Sequence, residues 1–124
     1  MSQHVLAAVD DIFFASKIRA TAGHLGLDVR FGRSAQELMA LVREDQPALI
    51  IVDLHSQVFD PFALALGLKG DEKLRVIPLM GFFSHVQTAL QHRAEEAGFD
   101  RVIPRSAFAK HLSDILQNTQ SLEP

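Results

Sequence analysis

From Leu49 to Asp53 the chain reads Leu-Ile-Ile-Val-Asp, four aliphatic residues ending in a carboxylate. The period-two alternation of a strand with one wet face is missing. A run this apolar suits a strand covered on both faces, the centre of a parallel sheet with helices above and below. Pro47 stands before it, and His55 and Ser56 follow it into a loop. The rest of the chain must then supply neighbouring strands and two layers of helix.

It does so by alternation. His4 to Val9 is a short apolar run stopped by Asp10 and Asp11, and predicts a strand. The next fifteen residues or so, closed by Gly23 and Gly26, predict a helix. Leu27 to Phe31 alternates like a strand near an edge. Ser34 followed by Glu37 is a capping box, opening a helix whose inner stripe is Leu38, Leu41 and Val42. After the central strand, Asp60 and Pro61 read as an N-cap and first-turn proline of a short helix. Val76 to Phe82 predicts a strand, and Ser84 to Ala97 a helix stopped by Gly98. Arg101 to Ile103 is a brief last strand, and Phe108, Leu112, Ile115 and Leu116 stripe a last helix. Five strands alternating with five helices imply βαβ units and a doubly wound α/β domain. The domain is expected over residues 1–117, with a loose tail over 118–124.

Composition narrows the function. The 124 residues carry a net charge of −3, so no basic excess is present to neutralise phosphates, and no nucleic-acid partner is expected. The chain has no cysteine, which excludes disulfides and thiolate metal sites. No apolar run approaches the ~20 residues of a membrane span, and the start is too soon acidic for a signal peptide. A cytoplasmic domain with no membrane partner is expected. There is no GxGxxG, no GxxxxGK[ST] and no GxSxG, so nucleotide binding and hydrolase chemistry lack their usual residues.

The carboxylates at the strand ends are the remaining chemistry. With strand order 2-1-3-4-5, strands one and three are neighbours at the switch point, where ligands of such sheets bind. Asp10 and Asp11 then converge with Asp53. Like charges this close repel, and a hard divalent ion such as Mg²⁺ is their natural partner. The plainer reading is that each aspartate caps a helix or starts a turn.

Val-Asp-Asp at 9–11, Ile-Ile-Val-Asp-Leu at 50–54 and Ala-Gly-Phe-Asp-Arg-Val-Ile-Pro-Arg-Ser at 97–106 resemble the receiver domain of two-component response regulators. The resemblance covers nearly the whole chain and implies the flavodoxin-like three-layer sandwich. It implies Mg²⁺ held by Asp10, Asp11, Asp53 and the backbone carbonyl of His55. It implies that Asp53 accepts a phosphoryl group from a histidine kinase, and that the domain is not an enzyme.

Two phosphoryl-contact positions depart from that pattern. Phe83 stands where a receiver has the Thr or Ser that bonds the phosphoryl oxygen, with Ser84 one residue late. Arg105 stands in place of the lysine, after Pro104 rather than before a proline. An arginine is a planar fork and not a compact point charge, and a two-pronged pair with Asp53 is expected. Val102 replaces the aromatic that swings inward in receivers. The expected function is an atypical, stand-alone receiver-like domain that binds a protein, a histidine kinase or a downstream signalling protein. Phe83, His85 and Val102 would contribute to its surface. Helix four, strand five and helix five form that surface, for a partner or for a second copy in a homodimer. The alternative is a working phosphoacceptor using Asp53 with Mg²⁺. A third reading, a small enzyme or metal protein, rests on His55 and His85 near the same acids.

Overall fold

The computed structural model describes residues 4–84 and 88–117. In chain order the elements are β1 (His4–Ala8), α1 (Ile12–His24), β2 (Asp28–Phe31), α2 (Ala35–Glu44), β3 (Leu49–Asp53), α3 (Pro61–Lys69), β4 (Leu79–Phe83), α4 (Thr88–Ala97), β5 (Arg101–Pro104), α5 (Arg105–Lys110) and α6 (Leu112–Gln117). The five strands pair in parallel in the order β2-β1-β3-β4-β5. The expected sheet is therefore the observed one. The tail expected over 118–124 lies outside the described residues.

β3 is central, and its four aliphatic residues are fully buried. Alternate side chains along each strand feed two separate cores. Leu6, Ile50, Val52, Leu79 and Phe83 pack against α2, α3 and α4. Val5, Ala7, Leu49, Ile51, Met80 and Phe82 pack against α1, α5 and α6. The edge strands β2 and β5 have no fully buried residue.

Local signals behave as their chemistry requires. Ser34 Oγ accepts from the Glu37 amide at 3.1 Å, and the Glu37 carboxylate accepts from the Arg33 amide, one residue ahead of the usual box position. Asp60 caps α3 through the Phe62 and Ala63 amides, and Pro61 sits in the first turn. Gly98 ends α4 at φ 117°, a conformation that side chains with a Cβ rarely adopt.

Two boundaries differ from expectation. β4 begins at Leu79 and not at Val76, because the Asp71 carbonyl accepts from the Leu74 and Arg75 amides and holds the preceding residues in a turn. The last helix is two pieces, α5 and α6, meeting at His111. The His111 amide still bonds Ala107, and the Ile115 amide bonds His111, so the apolar stripe continues across the junction. All four stripe residues are buried.

Candidate functional site

The carboxyl ends of β1 and β3 place Asp10, Asp11 and Asp53 at one edge of the sheet, where α1 and α3 leave on opposite faces. Each aspartate has a different task there.

Asp53 is half-buried at the last position of β3, beside Phe82 of β4 in register. Its Oδ1 accepts from the His55 amide at 2.9 Å. Burial pushes its carboxyl above the ordinary aspartate range, and the nearby Asp10 charge adds to the rise, against the His55 hydrogen bond. Asp10 is exposed, and its Oδ2 accepts from the Gln57 amide at 3.3 Å. That bond ties the β3–α3 loop to the end of β1. Ser56 Oγ braces the same loop by accepting from the Val58 and Phe59 amides.

Asp11 is the N-cap of α1. Its Oδ1 accepts from the Phe13 and Phe14 amides at 3.0 and 3.1 Å. Its Oδ2 takes a charge-assisted bond from Arg105 Nη2 at 2.7 Å. The Phe14 amide and then Arg105 hold this carboxyl below the ordinary range.

The two-pronged pair expected between Arg105 and Asp53 is therefore not formed; the arginine bonds Asp11 through one nitrogen. The reason is the layer arrangement. Arg105 is the first residue of α5, which shares a sheet face with α1, so the N-cap carboxylate of α1 is within reach. The guanidinium also lies over the Phe14 ring, 4.5 Å from its centroid. Below it Phe14, Phe82 and Phe108 stack on one another with centroids 4.8 to 5.5 Å apart. Phe14 and Gln57 escaped the sequence reading. Only the adjacency of Phe13 and Phe14 to the acidic pair hinted at the first.

Phe83 is 2% exposed, inside the core against α3 and α4. The expectation that it contributes to a partner surface is overturned: as the last residue of β4, paired with Pro104 of β5, it points into that core. Val102 is half-buried and packs against the same core, so it too offers little to a partner. Ser84 is exposed just past β4. His55 is exposed beside Asp53, and His85 lies outside the described residues. From Thr88 to Lys110 no large apolar side chain is exposed; the exposed ones among the described residues are Ile12, Phe13, Val58, Leu66 and Val76.

A divalent ion at this edge would need several carboxylate oxygens turned toward one point. Asp11 is poorly placed to supply one, because Oδ1 accepts from two amides and Oδ2 holds the Arg105 guanidinium, whose charge repels a cation. Among the described residues no three His, Asp or Glu side chains are grouped to hold a metal ion. As arranged, the acids do not fit Mg²⁺ without a rearrangement of Arg105.

No protein-family model matches the sequence, and a search of curated proteins finds no match. Solved structures do match. The signal receiver domain of a histidine kinase from Syntrophus aciditrophicus is 23% identical, with a TM-score of 0.83 over 97% of this chain and 91% of that one. The chemotaxis response regulator CheY4 of Vibrio cholerae is 17% identical, with a TM-score of 0.81 over 96% and 99%. The Mn²⁺-bound response regulator Rcp1 is 16% identical, with a TM-score of 0.77 over 96% and 92%. At these identities the likeness speaks for fold, and the chain has the flavodoxin-like receiver fold.

Proposed function

We propose that this chain is a receiver-type domain of two-component signalling that acts by binding another protein, with the phosphoryl-sensing half of its site altered. The observation that carries the altered reading is Phe83. Its ring fills the core at the end of β4, where a hydroxyl group would be needed to meet a phosphoryl oxygen. A buried phenylalanine neither donates that bond nor leaves the core without opening a cavity. The partner is met at α4, β5 and α5 through polar and charged groups such as His92, Arg93, Glu95, Glu96 and Arg101, which are exposed.

The test is exposure of the protein to beryllofluoride with Mg²⁺, read in the amide spectrum. No shift pattern centred on Asp53 is expected. Large shifts at Asp53 and the ends of β1, β3 and β4 would overturn the proposal.

One observation favours the second reading, a working phosphoacceptor. Among the described residues no side-chain cation bonds Asp53, which accepts from the His55 amide. Its second oxygen is thus not taken up by Arg105. A beryllofluoride adduct lost in Asp53→Asn would establish that reading.

A further inference from the structure

The structure assigns Arg105 as a resident cation of the acidic edge, one that competes with any divalent ion for Asp11. The inference rests on the proposal that this edge is a receiver-type site. Three contacts carry it. One Asp11 oxygen is committed to the first amides of α1. The other holds Arg105 Nη2 at 2.7 Å. The guanidinium is kept there by the Phe14 ring beneath it.

The charge arithmetic favours the same view. Asp10, Asp11 and Asp53 bring three negative charges to one edge, and Arg105 returns one positive charge by direct contact. An ion entering beside Asp10 and Asp53 meets that fixed cation and finds both Asp11 oxygens already hydrogen-bonded. To use Asp11, it must break the charge-assisted bond and lift the guanidinium off Phe14. Arg105 is also the first residue of α5, so its release would remove one tie between that helix and α1, with the Phe14–Phe108 stack remaining. The pair is about one third exposed on each side, so solvent and salt reach it and the exchange is open to ions.

The experiment titrates Mg²⁺, with Mn²⁺ as a paramagnetic probe, into the ¹⁵N-labelled protein and into Arg105→Gln. The variant keeps a long polar side chain and removes the charge. It is expected to bind at least tenfold more tightly than the natural chain, with the gain lost in Arg105→Gln/Asp11→Asn. In the natural chain any Mg²⁺ that binds is expected to shift the Arg105 side-chain N–H and the Phe14 ring together with the Asp11 amide. This second measurement needs no variant. Equal, measurable affinity of the two proteins overturns the competition while leaving the receiver-type site intact. Binding that leaves the Arg105 and Phe14 signals unmoved overturns it equally. No binding by Arg105→Gln overturns the competition while leaving the protein-binding proposal, which needs no metal, intact.

Discussion

Asp53 and Asp11 are the same residue type within one edge of the sheet, yet their carboxyls are pushed in opposite directions. Burial disfavours the charge on Asp53, and two amides and an arginine favour the charge on Asp11. Linkage converts this into opposite contributions to stability. A raised folded-state value means that the folded chain holds the Asp53 proton more tightly than the unfolded chain. Stability from that group is therefore lost as pH climbs from the ordinary value of 3.8 through the raised one. Asp53→Asn removes the loss. The variant is expected to melt above the natural chain at pH 7. The difference should vanish below about pH 3.8, where both states are protonated. Thermal melts at several pH values check it, and an Asp53→Asn protein that is less stable at pH 7 would refute it.

At the opposite end of the sheet a different set of elements is stapled. Lys69, the last residue of α3, donates from Nζ to the Arg75 and Ile77 carbonyls and to Asp100 Oδ2 at 2.9 Å. The same Asp100 oxygen accepts from the Leu79 amide, at the start of β4. The staple joins α3, the turn before β4 and the connection into β5. Gly98 belongs to it as well, since a Cβ there would stand 2.6 Å from Lys69 Cγ. Lys69→Met keeps the stem and removes the donor, leaving two carbonyls and a carboxylate short of a partner. A cost of about 1–3 kcal/mol is expected, typical of leaving such groups unsatisfied. Urea denaturation measures it. The Arg105–Asp11 contact lies at the other end of the strands and should give unchanged side-chain signals.

Across the whole molecule the stacked rings of Phe14, Phe82 and Phe108 join α1, β4 and α5 into one packed unit under the acidic edge. Arg105 rests on the first of these rings, so the site and the α1–α5 face of the sheet share a support. Phe82→Ala removes the ring that touches both others. It is expected to cost about 3–5 kcal/mol, a large share of the ~5–15 kcal/mol that holds a domain together. Chemical denaturation reports the loss, and a cost under ~1 kcal/mol would show that the stack is not a support.

The sequence by itself determined the alternation of strands and helices, the central place of Leu49–Val52 and the caps at Ser34 and Asp60. Those depend on local hydrogen bonding and on the number of faces a strand must bury, both of which are written in consecutive residues. It also placed Asp10, Asp11 and Asp53 at one edge, since each ends or follows a strand. Which partner each acid takes was decided only by the tertiary structure. Arg105 is 94 residues from Asp11 in the chain, and its choice of Asp11 over Asp53 follows from α5 and α1 lying on one face, with Phe14 there to receive the guanidinium. Phe83 was undecidable for the same reason. An aromatic at a strand end points into the core or out of it according to the register, and only the packing of α3 and α4 over β4 turned it inward.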